Sequence, residues 1–172
     1  MTDPTSEPPT DRLLPPSSDL TDAFWDATRS GTYLVQWCAP CGEPIFHPRE
    51  VCPRCLASEG LHWRPSNGRG TVYAVSVQHR PGNPTMAGRV PYAVVLVDLD
   101  AGADDAALDG DGDGDGDGDG DGAPTVRIMA NVVDGDPHDV AVGDPVVLAW
   151  EPLADGRQLA VFVRGGAAAD AE

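Results

Sequence analysis

Hydrophobic and polar positions alternate most clearly in TVYAVSVQHR (71–80), where Val72, Ala74 and Ser76 fall on one side and Tyr73, Val75 and Val77 on the other. A period of two is the signature of a half-buried strand. PYAVVLVDLD (91–100) is a second long strand, apolar enough at its centre to predict burial on both faces. TVRIMANVV (125–133) is a third, and DPVVLAWEPL (144–153) and QLAVFVRG (158–165) form a final pair across the turn residues ADGR. PGNPTMAGRV (81–90) reads as a loop, and DPHDVAVG (136–143) as a loop or helical turn. Before these, TYLVQW (32–37) is strand-like and LHWRPSNGRG (61–70) a strand followed by a turn. One short helix is predicted. Asp22 would cap it, AFWDATRS (23–30) would form its body and Gly31 suits its C′ position. Phe24, Ala27 and Thr28 share a face with Trp25 beside them. So short a helix is not stable alone in water and must dock, on this chain or on a partner. The pattern predicts a mainly β chain: an N-terminal helix, a Cys-rich unit, then a small closed barrel of about five strands, of OB type.

Composition sharpens the boundaries. Residues 1–20 contain five prolines and scattered polar side chains, and are expected to be a disordered tail. Residues 21–64 hold the helix and the Cys-rich unit, 65–164 the barrel, and 165–172 a second disordered tail. Asp109–Gly122 is seven consecutive Asp-Gly pairs lying between two good strands, within an acidic insertion of about 101–123. Those strands would otherwise make a hairpin, and loop-closure entropy grows only slowly with length, so the insertion is expected to cost little stability. The run lacks the apolar positions of a calcium-binding β-helix repeat and the flanking helices and terminal Glu of an EF-hand.

The formal charge of −17 sits mostly outside the barrel and ribbon. Residues 23–97 and 123–164 together carry ten acids and ten arginines, and 23–97 alone has seven arginines against four acids. The low overall pI therefore does not exclude an anionic ligand. All eleven basic residues are arginine; a high-salt cytoplasm and a GC-rich genome both produce that bias. No apolar run approaches the roughly 18–20 residues that span a bilayer, and the acidic, Pro-rich start is no signal peptide, so a cytoplasmic protein without membrane contact is expected.

The four cysteines are Cys38, Cys41, Cys52 and Cys55, in Cys-Ala-Pro-Cys and Cys-Pro-Arg-Cys. Two such knuckles offer four thiolates to one tetrahedral ion, for which structural Zn²⁺ is the default, and a rubredoxin-type iron site has the same geometry. Gly42, directly after the second ligand, suits the positive φ a knuckle turn requires. With all four positions filled by protein, the metal has no place for water or substrate. His47 and His62 are redundant as ligands, His79 and His138 have no obvious partner, and Ser58, Ser66 and Ser76 sit in no nucleophile motif. GRG at 68–70 leads into a strand and reads as a turn, not a phosphate loop. No catalytic residues are identified, and an enzyme is not expected.

FWDATRSG, Cys-x-x-Cys-Gly, FHPREVCPRC, the Trp63 strand, SNGRGTVYAVSV, PYAVVLVDLD and VGDPVVLAWEPL, in that order, resemble the zinc-ribbon/OB-fold proteins that accompany acyl-CoA enzymes, a family long catalogued as a domain of unknown function. The likeness covers about residues 22–164 apart from the Asp-Gly insertion. It implies a rubredoxin-like zinc ribbon on an OB fold. It also implies a non-catalytic scaffold that binds a thiolase-fold enzyme, in some members with hydroxymethylglutaryl-CoA synthase or a hydratase, and helps shape an acyl-CoA passage. Partner docking is expected to use the helix around Phe24 and Trp25 and the ribbon edge at Pro48, Arg49 and Arg54; the rival reading packs both aromatics on the chain's own ribbon. The alternative function is single-stranded nucleic-acid binding through an OB groove, with Trp37, Trp63 and Tyr73 as stacking aromatics. An eleven-Asp loop beside seven arginines makes a poor electrostatic funnel, so nucleic acid is the lesser expectation.

Overall fold

The computed structural model describes residues 12–102 and 124–165. The element order is helix α1 (Asp22–Thr28), then strands β1 (Leu34–Cys38), β2 (Glu43–Ile45), β3 (Leu61–Pro65), β4 (Arg69–Gln78), β5 (Tyr92–Asp100), β6 (Thr125–Val132), β7 (Pro145–Pro152) and β8 (Gln158–Arg164). β2-β1-β3 form a three-stranded sheet that carries the cysteines, and β4-β5-β6-β8-β7 close into the expected five-stranded barrel. Among the described residues, no helix is long and apolar enough to cross a membrane.

β1 is the strand both units share. Tyr33, Val35 and Trp37 point into the barrel core with Val72, Val97, Leu99 and Phe162. The intervening Gln36 and Cys38 are also buried, and Cys38 belongs to a second cluster with Ile45 and Cys52. A period-two strand with two apolar or paired faces can sit between two cores, which is what TYLVQW does.

Three strand expectations needed revision. β5 is not buried on both faces at its centre: Ala93, Val95, Val97 and Leu99 are buried while their neighbours are half-exposed, because in a closed barrel only one face meets the interior. In β4 the strict alternation breaks. The register with β5 shifts between Val72 and Ala74, leaving Tyr73 exposed, and the inward positions run from Val72 to Val75. The cause lies outside β4. The turn before β7 takes both backbone groups of Val72: its N–H donates to the Asp144 carbonyl at 2.9 Å, and its carbonyl accepts from Gly143 N–H at 2.8 Å. The ladder to β5 must step past Val72, which is a bulge. Third, GRG is only half a turn. Gly68 has φ +74, but Gly70 lies within β4, paired with Leu99 of β5 on one side and Val146 of β7 on the other. A Cβ there would lie 2.6 Å from Val97 Cγ1 and 2.7 Å from the Asp98 carbonyl oxygen, so only glycine lets one strand serve both neighbours.

The helix ends in a Schellman motif: Thr32 N–H donates to Ala27 O and Gly31 N–H to Thr28 O, with Gly31 at φ +72, its expected role. Its N-cap is Thr21 rather than Asp22, and Thr21 makes no side-chain capping bond; its hydroxyl is engaged with Ser18 instead. Residues 81–90 are a loop with a 3₁₀ turn over Pro84–Arg89, which starts where the Asn83 side chain accepts from Thr85 N–H. Residues 136–143 include a one-turn 3₁₀ helix, Pro137–Asp139.

The expected tails and insertion fall largely outside the described residues (1–11, 103–123 and 166–172). Arg12 and Pro15, expected in the tail, contact the barrel. Arg12 pairs with Glu151 at 2.7 Å, Glu151 also pairs with Arg89 at 2.6 Å, and the Pro15 carbonyl accepts from Arg157 at 2.8 Å. Prolines lower the entropy lost on fixing such a strap, and the charged pairs anchor it. β5 and β6 pair antiparallel through Asp100 and Thr125, and Ala101 N–H donates to the Pro124 carbonyl, so the strands flanking the Asp-Gly run make the hairpin anticipated for them.

Candidate metal centre and apolar cleft

The two knuckles fold alike. In the first, Gly42 N–H donates to Cys38 O; in the second, Leu56 N–H donates to Cys52 O, and both fifth residues have positive φ, +69 and +62. Leu56 therefore does in the second knuckle what glycine does in the first, at a conformational cost of about 1–2 kcal/mol. Nothing singled out Leu56 by itself; the signal was its offset from Cys55, equal to that of Gly42 from Cys41.

The four Sγ atoms lie within 4.8 Å of one another, with Cys38 and Cys55 at 3.5 Å and Cys41 and Cys52 at 3.7 Å. Tetrahedral Zn²⁺ with Zn–S near 2.3 Å sets its ligand sulfurs about 3.8 Å apart, so the donor set and spacing fit the ion. Cys38 and Cys52 are buried, Cys41 half-buried and Cys55 exposed. Backbone N–H groups of Cys55 and Arg54 hold the Cys52 thiol below its ordinary value, favouring the thiolate that a metal needs, while burial pushes Cys38 and Cys41 up. Burial of unpaired thiolates is unfavourable, and a divalent cation among them removes that penalty. Four protein thiolates would fill a tetrahedral coordination sphere. His62 is turned to the Gly60 carbonyl and His47 stacks on Phe46, so neither joins the cluster.

The loop between the knuckles is held by one buried side chain that sequence reasoning passed over. Gln36 donates through Nε2 to the Arg49 carbonyl at 3.0 Å and accepts through Oε1 from Arg49 N–H at 2.8 Å. The Gln36 amide thus satisfies both backbone groups of Arg49, a residue outside the sheet. Only its place in an otherwise apolar strand could have marked it.

Helix α1 docks on its own chain. Phe24 meets Tyr33 edge-on at 5.2 Å and packs against the barrel core. Trp25 lies under the Arg157 guanidinium, 4.8 Å from its ring centre. Thr28 is fully buried: its hydroxyl donates to Trp25 O and accepts from Gln158 N–H, and its carbonyl accepts from Gln158 Nε2. Thr28 and Arg157 are thus the joints between helix and barrel.

Between the helix, the ribbon and the barrel lies an apolar cleft of about 230 Å³. It opens where β6 and β8 diverge, since the two strands are bridged only at Val132 and Phe162. Of the five residues expected at a partner surface, Phe24, Trp25 and Pro48 line this cleft, whereas Arg49 and Arg54 do not. Arg49 is exposed, and Arg54 is paired with Glu43 at 2.8 Å. The three candidate stacking aromatics are not presented together. Trp37 is buried, Trp63 lines the cleft, and exposed Tyr73 is covered by Arg127, itself held by Asp98.

Residues 25–61 match the family described as "ChsH2, rubredoxin-like zinc ribbon domain", and residues 63–151, over half of the chain, match "ChsH2, C-terminal OB-fold domain". The chain belongs to the ChsH2 zinc-ribbon/OB-fold family. Among relatives of this ChsH2-family chain, a "Probable enoyl-CoA hydratase alpha subunit" of Thermomonospora curvata is 29% identical over 148 residues. That alignment covers 86% of this chain but only 38% of the relative. A "DUF35 domain-containing scaffold protein" of Methanothermobacter thermautotrophicus is 25% identical over 118 residues, covering 69% of this chain and 71% of the relative. Among solved structures, a chain of "Ltp2-ChsH2(DUF35) aldolase" superposes with a TM-score of 0.66 at 26% identity, over 88% of this chain and 98% of the other. The zinc ribbon and the OB-type barrel expected from sequence are therefore both present, and scaffold proteins are among the chain's relatives.

Proposed function

We propose that this ChsH2-family chain is a non-catalytic, zinc-containing accessory subunit that binds a thiolase-fold enzyme and helps shape the path of an acyl-CoA substrate. The observation that carries this reading is the near end-to-end likeness to the ChsH2 chain of an aldolase assembly. The relative called a hydratase subunit is much longer than this chain, so its activity can reside in the part not shared. The metal centre supports the same reading: four protein thiolates leave zinc no open position to activate water or polarise a carbonyl. Its contribution is structural, fixing the Gln36–Arg49 loop and the ribbon edge against the barrel.

Affinity purification of the tagged full chain from its native cell tests the proposal. A thiolase-fold enzyme should co-purify, with or without a hydroxymethylglutaryl-CoA synthase or hydratase. The chain alone should show no thiolase, synthase or hydrolase activity. Tight binding of single-stranded DNA at physiological salt, with no acyl-CoA enzyme captured, would refute it.

A further inference from the structure

The cleft at the β6–β8 seam is built, not incidental. Its floor is opened by two small residues, Ala130 on β6 and Ala160 on β8, and its walls are aromatic: Phe24 and Trp25 from the helix, Phe46 and Trp63 from the ribbon. No arginine, aspartate or glutamate lines it. Gln36 on its wall has its amide engaged by Arg49, and the Thr21 hydroxyl is engaged by Ser18. Its one basic lining side chain is His47, whose ring is stacked on Phe46, so such a surface offers little with which to hold a phosphate or a carboxylate and favours an uncharged apolar group. Its volume of about 230 Å³ is larger than a cavity of about 150 Å³ that takes benzene, yet below the roughly 300–1,000 Å³ of whole-ligand sites. It suits one ring or a medium chain belonging to a larger molecule. A junction of three elements is where ligand pockets recur.

We propose that this cleft binds the uncharged hydrocarbon portion of a small organic ligand, the acyl chain of a thioester, whose charged half stays outside. The choice of a thioester rests on the accessory-subunit reading; the preference for an uncharged chain rests on the walls alone. Charged coenzyme groups would then be held elsewhere, by solvent or by the partner enzyme.

The test uses the full-length zinc-loaded protein, labelled for NMR, titrated with S-octanoyl-N-acetylcysteamine and separately with free coenzyme A. The octanoyl probe should give saturable shifts concentrated at the Trp25 and Trp63 indole N–H groups and the Ala130 and Ala160 amides; free coenzyme A should give none there. Ala160→Phe, which fills the cleft from one side, should weaken binding roughly tenfold or more, as should Ala130→Leu from the other. Zinc content and the spectrum of distant residues are the folding controls. The wild-type shift map stands even if a filled variant fails to fold. Absence of saturable shifts, shifts centred elsewhere, or folded filled variants with wild-type affinity would overturn the assignment. Enzyme capture without octanoyl binding refutes the cleft alone and makes it a socket for the partner's side chains. Octanoyl binding without enzyme capture supports the cleft and refutes the partner reading alone.

Discussion

Thr28→Val should detach helix α1 from the barrel without changing shape. The hydroxyl donates to Trp25 O at 2.7 Å and accepts from Gln158 N–H at 3.2 Å, at a residue with no exposed surface. Valine replaces that oxygen with a methyl group of nearly equal size. The lost bond to the carbonyl is worth about 0.5–1.5 kcal/mol, and leaving the Gln158 amide unpaired costs about 1–3 kcal/mol. The sum, about 1.5–4.5 kcal/mol, is a large fraction of a stability of about 5–15 kcal/mol. Thr28→Ser keeps both bonds and loses one methyl, about 1 kcal/mol. The order should be wild type, then serine, then valine, with valine lowering Tm by roughly 5–10 °C. Urea unfolding of the zinc-loaded protein followed by tryptophan emission measures it, since Trp25 lies beside the joint. Amide exchange at Gln158 should accelerate in the valine variant alone. Valine within about 0.5 kcal/mol of wild type, or more stable than serine, would refute the hydroxyl's role.

Purified protein should contain about one zinc per chain, and Cys52→Ser should lower zinc affinity and abolish the protection of β1–β3 amides in hydrogen exchange. Gly70→Ala should destabilise by more than about 2 kcal/mol, because its methyl meets backbone as well as Val97; denaturant midpoints check this. For Glu151, burial raises the carboxyl but the Arg12 and Arg89 guanidiniums outweigh it and hold it below its ordinary value. A depressed carboxylate stabilises above its unfolded value of about 4.3 and loses that contribution as pH falls through the lower folded value. Glu151→Gln should therefore be less stable than wild type at neutral pH, with the gap closing below about pH 4; pH-dependent urea midpoints measure both. Replacing residues 104–122 by Asn-Gly should change stability by less than about 2 kcal/mol at moderate salt, seen in thermal melts.

The cysteine pairs, the Gly31 cap and the five barrel strands as segments were legible because each depends on neighbours a few residues away. Ligand spacing, a glycine after a helix and a period of two are local patterns. The β4 bulge was not, because Val72 is gripped by Gly143 and Asp144, about seventy residues downstream. Gly70 looked like punctuation in GRG because its reason for being glycine, the approach to Val97 and Asp98, is a tertiary contact. Arg12 was grouped with a Pro-rich tail by composition, yet Glu151 gives it a partner across the fold. At the cleft, the aromatic walls Phe24 and Trp25 were noticed as a helix face, but Ala130 and Ala160 carry no pattern of their own. What matters there is the space they leave where two strands part.

The bond from Ala101 N–H to the Pro124 carbonyl is the last rung described on the β5–β6 ladder. Whatever lies beyond it enters and leaves the barrel through two adjacent points, so its length never reaches the register of a single strand. A tandem repeat of one dipeptide is the kind of tract that grows and shrinks when a DNA polymerase slips. Placed beyond this rung, such changes keep the ends of the tract at Ala101 and Pro124, so the pairing of β5 with β6 fixes no number of repeats. Lineages of this chain should differ in the number of Asp-Gly units while keeping Ala101 and Pro124 in step.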